Sequence, residues 1–206
     1  AIEASISKVI GSEALAYCAD EAVQIFGGSG YCEEYPAAGV YRDERINRIF
    51  EGTNEINRLL TVSMILRKAA KGEINLLGPA KNVAKELLSI PDFGNANGSF
   101  LSEEIKYKKN FKKALLMIAG AAVQKFETKL QFEQEVVMNI ADLINIIYLS
   151  ESTLLRVQKA VEKIGSENYQ EQIDILRVMV YDSCDQINKA GKDAINSFAT
   201  GDEAKM

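Results

Sequence analysis

The residues best suited to chemistry lie between positions 21 and 60 of this 206-residue sequence. One of them is Glu51, which is followed by Gly52 and by Thr53, a residue type that opens helices. An acid in that place lies beside the unpaired backbone N–H groups of a helix N-terminus. The pattern alone allows two interpretations: Glu51 is a proton-transferring carboxylate, or it is an ordinary acid favoured at a helix start.

A second feature is the run Gly27-Gly28-Ser29-Gly30, which follows the first predicted helix. Glycine can adopt a positive φ beyond a helix end, and it lets another molecule approach the backbone. The run is therefore a helix cap with a tight turn, a ligand-binding turn, or both.

The composition excludes several classes of protein. There is no histidine, so imidazole catalysis, a Ser/His/Asp triad and a His-ligated metal are impossible within this chain. Three cysteines at distant spacings, without a CxxC pair, predict neither a zinc site nor a disulfide framework, and no metal is expected. A net charge of −5 argues against a nucleic-acid surface. The most apolar stretch, residues 136–149, contains three polar residues, so no transmembrane span is predicted.

The elements that must position these residues are predicted to be helices. Only three prolines occur, strand-type alternation is scarce, and we expect an all-α fold. Apolar residues at helical spacing from Ile2 to Ile25 predict a first helix with one buried stripe. A non-periodic connection, residues 31–52, separates it from a second helix that starts at about Thr53 and fades at Lys71. The predicted buried face of that helix consists of Ile56, Leu59, Leu60, Ser63, Met64 and Arg67.

The composition changes near Gly78-Pro79. Residues 1–78 hold five arginines and three lysines, whereas residues 79–206 hold two arginines and fourteen lysines. We therefore expect two domains, 1–78 and 79–206.

The second predicted domain is helical as well. After a short helix at 80–90 and a turn-rich segment at 91–99, periodic apolar residues predict three helices of about 30 residues each. A continuous helix from 102 to 164 would be roughly 90 Å long, so a turn is placed near 127–131. The result is an antiparallel bundle of long helices.

Several runs of residues occur in a fixed order. They are Glu21 to Tyr31 (EAVQIFGGSGY), Glu34-Tyr35-Pro36, Tyr41-Arg42-Asp43 with Arg45-Ile46, and Ile49 to Ile56 (IFEGTNEI). Over residues 3–67 they resemble the C-terminal signature of the acyl-CoA dehydrogenases. Residues 127–198 resemble, more faintly, the additional C-terminal helical domain of the very-long-chain branch of that family.

The resemblance implies a flavoenzyme that oxidises a fatty acyl-CoA to the trans-2-enoyl-CoA. It implies FAD as cofactor, an electron-transferring flavoprotein as electron acceptor, and a homo-oligomer. The chain would begin inside the C-terminal helical bundle of such an enzyme and continue into the additional bundle. We interpret Ala1 as a cut edge within a longer protein, so the flavin-ring residues and most of the acyl pocket would be missing and the fragment alone inactive.

The resemblance places the catalytic base at Glu51. The α-proton of a thioester is a weak acid, and its removal needs a positioned base while hydride leaves the β-carbon for the flavin. In the family the backbone N–H at the position of Glu51 also polarises the thioester carbonyl. Gly52 then leaves room for the substrate.

The remaining site residues are also carried over from the family. Gln24, Gly27 and Gly28 match positions that contact the adenosine-diphosphate half of a flavin bound mainly by a neighbouring subunit. Thr53 and Glu55 match the pair that touches FAD beside the base, although many members have Gln where Glu55 stands. The acid and arginines of the connecting loop, by contrast, are interpreted as a structural ion-pair cluster: Arg42, Asp43 and Arg45.

Two other functions are compatible with the sequence. One is an acyl-CoA oxidase-like relative with the same fold. The other is a helical module for oligomerisation or membrane docking through residues 79–206, although the acidic balance argues against membrane binding by this chain. The expected location is intracellular, in a bacterial cytoplasm or a mitochondrial matrix.

Overall fold

The structure, a computed structural model, describes residues 1–87 and 100–201. These residues form helices joined by short connections and include no strand, which confirms the all-α prediction. The α-helices are α1 (Ile2–Phe26), α2 (Gly28–Tyr31), α3 (Pro36–Arg45), α4 (Asn54–Ala70), α5 (Leu77–Leu87), α6 (Ser102–Phe126), α7 (Gln134–Ile164) and α8 (Gln170–Phe198). Three 3₁₀ helices lie at Ile46–Arg48, Glu127–Phe132 and Ser166–Asn168.

The chain divides into two compact units, Ala1–Ile65 (the N-terminal unit) and Leu66–Met206 (the C-terminal unit). The dividing point falls within α4. The domain boundary that the composition suggests, between residues 78 and 79, stays a prediction.

The connection predicted at residues 31–52 is more ordered than the sequence suggested. It contains α3 and the 3₁₀ helix Ile46–Arg48, and α3 packs against α1. Pro36 starts α3 because its fixed φ suits the first helical position and its missing N–H needs no partner there. The buried residues of α3 are Ala37 and Glu44, so the helix has no apolar stripe from which it could be predicted.

The buried faces of α1 and α4 also differ from the predicted stripes. On α1, Ile6 and Val9 are buried as expected, but Ile25 is exposed and Ser12 is buried instead. On α4, Ile56 is exposed. The buried side chains of α4 are Asn54, Asn57, Thr61 and Val62. The prediction was wrong here because apolar spacing does not show polar side chains that are buried by hydrogen bonding to another helix.

The C-terminal unit contains the predicted bundle of long helices. The start of α7 lines a surface groove together with the end of α8, so these two helices are antiparallel. Helices α6 and α8 run parallel. Pairs that meet across α6 and α8 are Glu104 with Arg177, Ile118 with Gly191, and Lys125 with Phe198, each separated by 73 positions in the sequence.

Helix α5 runs antiparallel to α6. Glu86 of α5 forms an ion pair with Lys113 of α6, and Ala80 lies opposite Gly120. The end of the helix predicted at 80–90 and the turn-rich segment 91–99 lie outside the described residues.

The bundle encloses an apolar core. Its most deeply buried large side chains are Leu130, Val136, Leu143, Leu154, Ile173 and Leu176. Glu127 has a φ of 47°, and the 3₁₀ helix that begins there reverses the chain near the predicted turn. Within the described ranges, no helix combines the length and the apolar character that a membrane crossing requires.

Candidate functional site

The loop that carries Glu51 has an unusual backbone. It joins the 3₁₀ helix Ile46–Arg48 to α4, and two consecutive residues in it have positive φ, 57° at Glu51 and 81° at Gly52. A positive φ costs glycine little but is uncommon for glutamate. Strained conformations of this kind cluster at functional sites and persist only where the surroundings hold them.

The Gly52 carbonyl oxygen accepts two hydrogen bonds. Lys8 Nζ donates one from α1 over 2.9 Å, and Asn57 Nδ2 donates the other from the first turns of α4 over 2.7 Å. Asn57 Nδ2 also lies 3.1 Å from the Thr53 carbonyl oxygen. The peptide between Gly52 and Thr53 is therefore fixed from two helices.

A buried polar network extends this attachment. Asn54 is almost fully buried and exchanges hydrogen bonds with Ser12, at 2.9 and 3.2 Å. Its Oδ1 accepts a hydrogen bond from Lys8 Nζ over 2.7 Å. The carboxylate of Glu13 accepts two hydrogen bonds from the Arg58 guanidinium, at 2.7 and 3.0 Å. Two consecutive turns of α1 are thereby joined to the start of α4.

Thr53 caps α4. Its Oγ1 accepts a hydrogen bond from the Ile56 N–H over 3.3 Å, as expected for an N-cap residue. The pKa of Glu55 lies below its ordinary value, chiefly because its carboxylate accepts hydrogen bonds from its own backbone N–H and from Thr53. Burial opposes this shift, and the charges of Arg58 and Lys8 add to it. Glu55 is therefore ionised at neutral pH and can act as a hydrogen-bond acceptor.

Glu51 itself is exposed in this chain, as are Phe50 and Ile56 on either side of the loop. An exposed carboxylate between apolar side chains can reach a molecule placed over the loop. Once that surface is covered, the apolar neighbours exclude water and leave the carboxylate as the polar group of the pocket.

The glycine run at the end of α1 is open on one side. Gly27 has a φ of 61° and ends the helix, as predicted. A Cβ at Gly27 or Gly28 would meet nothing within 4 Å, whereas a Cβ at Gly30 would lie 2.6 Å from the Val23 carbonyl oxygen. The fold of this chain thus explains glycine at 27 and 30 but not at 28, where the backbone is free for close approach by another molecule.

The structure groups the predicted site residues into two places. Glu51, Gly52, Thr53 and Glu55 lie together at the start of α4, which α1 contacts through Ser12. Gln24 lies twelve positions further along α1, about 18 Å along the helix axis at 1.5 Å per residue, and Gly27 and Gly28 follow it. The two groups are on one unit but do not form one cluster.

The loop arginines do not form the predicted cluster. Arg42 forms an ion pair with the exposed Glu33 at 2.6 Å, and Arg48 approaches the buried Glu44 at 3.7 Å. The prediction is thus confirmed for Arg42, which forms a structural ion pair, but not for a cluster of the three. Asp43 lies one position from Arg42 and two from Arg45, spacings at which side chains on a helix do not face each other.

Four residues of the site were not predicted: Lys8, Ser12, Asn54 and Asn57. One signal could have indicated the first of them, since Lys8 is the only basic residue among positions 1–41 and lies within an apolar stretch of α1. Ser12 and Asn54 are ordinary polar residues that lie 42 positions apart in the sequence, and Asn57 bonds to backbone carbonyls just before its own helix.

Two family models, both described as the C-terminal domain of the acyl-CoA dehydrogenases, match this sequence. One matches residues 1–66 and the other residues 110–206, so together they extend over most of the chain. The chain belongs to the acyl-CoA dehydrogenase family. Within that family it carries the C-terminal domain.

Individual members of the acyl-CoA dehydrogenase family are similar over different lengths. A probable acyl-CoA dehydrogenase of Bacillus subtilis (strain 168) is 41% identical over 207 residues, which cover 100% of this chain and 34% of that protein. The mitochondrial short-chain specific acyl-CoA dehydrogenase of Homo sapiens is 48% identical over 65 residues, 32% of this chain and 16% of that protein. The chain therefore spans about a third or less of the length of these relatives.

A solved structure of an acyl-CoA dehydrogenase from Bacillus anthracis, complexed with FAD, has the same fold. It is 41% identical to this chain with a TM-score of 0.93, over 100% of this chain and 34% of that one. The helical fold described above is therefore that of an acyl-CoA dehydrogenase C-terminal region.

Proposed function

We propose that the chain is the C-terminal part of an enzyme that oxidises a fatty acyl-CoA to the trans-2-enoyl-CoA, with Glu51 as the base. The observation that carries the proposal is the loop at Glu51. Glu51 has a φ of 57° and lies just before a capped helix, and the peptide between Gly52 and Thr53 is held by hydrogen bonds from two helices. Family membership supplies the chemistry that such a carboxylate would perform.

In this proposal Glu51 takes a proton from the carbon next to the thioester carbonyl. A carboxylate is a suitable base because it can accept this proton without the help of a histidine. The Glu51 N–H would stabilise the enolate-like oxygen that develops at the carbonyl. Gly52, which has no side chain, would leave space for the acyl chain to lie against the loop.

The residues of this chain are suited to form part of an FAD-binding site. Open backbone at Gly28 and an exposed Gln24 suit the close approach of a phosphate-bearing group, while Thr53 and the ionised Glu55 offer a hydroxyl and a hydrogen-bond acceptor near the base. The distance of about 18 Å between the groups along α1 agrees with contacts to two different parts of a cofactor or to two cofactors. When bound, FAD supplies the acceptor for the hydride that leaves the β-carbon.

We further propose that the parent belongs to the very-long-chain type. The support is the second matched region, residues 110–206, together with the Bacillus subtilis relative that aligns along the whole chain. The short-chain specific human relative aligns over 65 residues. That alignment is too short to include both matched regions of this chain.

The proposed partners are a fatty acyl-CoA as substrate, an electron-transferring flavoprotein as acceptor and further copies of the parent. The 206-residue chain alone is expected to be inactive, because it spans about a third of its full-length relatives. Turnover of palmitoyl-CoA by the purified chain with added FAD would contradict this expectation. Reduction of an electron-transferring flavoprotein, compared with oxygen consumption, distinguishes a dehydrogenase from an oxidase in the intact parent.

The role of Glu51 is tested by Glu51→Gln in the intact parent. The amide cannot accept the proton, so kcat should fall by about 10²- to 10⁴-fold while the flavin absorbance of the purified protein is retained. Glu34→Gln, an exposed acid in the loop between α2 and α3, is the matched control and should leave kcat unchanged. Turnover retained by Glu51→Gln would remove Glu51 from the role of base.

A further inference from the structure

We propose that Lys8 is a positioning residue for the loop that carries Glu51. The inference rests on the proposed role of Glu51 as base. Lys8 Nζ donates hydrogen bonds to the Gly52 carbonyl oxygen over 2.9 Å and to Asn54 Oδ1 over 2.7 Å. It is the only lysine among residues 1–65, and its partners lie more than forty positions away.

The bond to Gly52 acts at the point that sets the direction of Glu51. The Gly52 carbonyl belongs to the peptide between Gly52 and Thr53, which connects two left-handed residues to the rigid start of α4. If that peptide rotates, ψ of Gly52 and φ of Thr53 change, and the Cα–Cβ bond of Glu51 takes a different direction relative to α4. The hydrogen bond from Lys8 therefore fixes the direction of the Glu51 carboxylate relative to α1 as well as to α4.

The chemistry of Lys8 suits this task better than that of a neutral donor. An ammonium group offers three donors, and two of them meet the uncharged oxygens of a carbonyl and an amide. Hydrogen bonds from a charged donor are about twice as strong as those between neutral groups. Without Lys8, the Gly52 carbonyl would be held only by Asn57 of α4, and its position relative to α1 would not be fixed.

The test uses the intact parent enzyme with bound FAD and the variants Lys8→Met and Lys8→Arg. Methionine keeps the length and apolar stem of lysine but removes the charged donor. Loss of the hydrogen bonds from Lys8 should lower kcat by about 10- to 100-fold, the effect expected when the Glu51 carboxylate is slightly misplaced. The KM for acyl-CoA should change by less than about threefold. The isotope effect on kcat with substrate deuterated at the α-carbon should rise, because proton removal becomes the slow step.

Two further measurements separate positioning from a general loss of structure. Amide hydrogen exchange in the peptide that contains residues 50–53 should be faster in Lys8→Met, while flavin content and melting temperature stay at the wild-type values. Lys8→Arg keeps a cationic donor and should recover at least part of the lost kcat. Lys189→Met, on an exposed turn of α8, is the matched control and should change none of these values.

The outcomes distinguish this inference from the proposed function. Wild-type kcat, isotope effect and hydrogen exchange in Lys8→Met would overturn the positioning role even if Glu51→Gln is inactive. If Glu51→Gln retains turnover, the base assignment fails instead. If Lys8→Met loses its flavin, the variant Lys8→Gln, which keeps a shorter neutral donor, is used in its place. A lowered kcat with a raised isotope effect in Lys8→Gln supports the positioning role, and wild-type values of both overturn it.

Discussion

The two units of this chain are stabilised in different ways. In the C-terminal unit, Leu143, Leu154 and Leu176 from two long helices are almost completely buried in an apolar core. In the N-terminal unit, the most deeply buried side chains include Asn54 and Thr61, which make hydrogen bonds. One unit is held mainly by apolar packing, and the other depends to a greater extent on polar contacts with defined directions.

The N-terminal unit also exposes large apolar side chains. They include Tyr17, Ile25, Phe26, Tyr31, Ile49, Phe50 and Ile56. Apolar surface of this extent marks regions that contact other molecules or other parts of a protein. Directed hydrogen bonds thus fix the Glu51 loop, whereas the apolar side chains of Ile49, Phe50 and Ile56 beside it are exposed.

The largest effect is expected in the core of the bundle. Leu176→Ala removes a fully buried side chain of α8 and should lower the free energy of unfolding by about 3 kcal/mol, from lost burial and the cavity that remains. Urea denaturation followed by circular dichroism measures it. Val178→Ala, two positions along and 61% exposed, should cost less than about 0.5 kcal/mol. Equal costs for the two variants would contradict the apolar account of this unit.

A somewhat smaller effect is expected from the polar network of the N-terminal unit. Asn54→Ala removes the hydrogen bonds that Asn54 makes with Ser12 and Lys8 and should destabilise the chain by about 2 kcal/mol, the cost of hydrogen bonds lost at a buried site. The same denaturation experiment applies. The control is Asn82→Ala on the exposed face of α5, where alanine is the better helix former. If Asn54→Ala is as neutral as the control, hydrogen bonding is not what stabilises this unit.

Two neighbouring glycines give a finer test within the N-terminal unit. Gly30→Ala brings a Cβ to 2.6 Å from the Val23 carbonyl oxygen and should cost about 1.5 kcal/mol by overpacking. Gly28→Ala meets open space and should be neutral or slightly stabilising in thermal unfolding of this chain. In the intact parent, by contrast, Gly28→Ala should bind FAD more weakly than Gly30→Ala does. Wild-type flavin affinity in Gly28→Ala would leave Gly28 outside the cofactor site.

The smallest effect is expected from an ion pair of the bundle. Burial raises the pKa of Glu151, but hydrogen bonds and charges from Lys112 and Lys108 outweigh it, so the pKa lies below its ordinary value of 4.5. Because the folded pKa is lowered, the stabilisation is complete above pH 4.5 and is lost as the pH falls through the folded pKa. The difference in stability between wild type and Glu151→Gln should be under about 1 kcal/mol at neutral pH and should shrink in acid. A difference that grows in acid would contradict the assigned direction.

The long helices could be predicted from the sequence because their apolar spacing repeats over many turns. Residues such as Ile140, Leu176 and Val180 occupy the predicted stripes and are buried. Helix α3 was missed because ten residues that begin at a proline carry too little periodicity. Local regularity thus revealed the bundle but not the short elements around the loop.

The candidate site was predictable in part. Thr53 marked the start of α4, which placed Glu51 directly before a helix. The positive φ of Glu51 could not be foreseen, since glutamate rarely adopts it. The bonds from Lys8 and Ser12 to Asn54 of the next long helix depend on tertiary packing, which no local pattern encodes.

The fixed offset of 73 positions between the facing residues of α6 and α8 limits how this region can change length during evolution. One residue inserted in α8 between Arg177 and Gly191 would rotate the remainder of the helix by about 100° and advance it by about 1.5 Å. Gly191 would then turn away from Ile118, and a larger side chain would meet α6. Insertions and deletions among relatives should therefore accumulate at the 3₁₀ turns, Glu127–Phe132 and Ser166–Asn168, rather than within the helices.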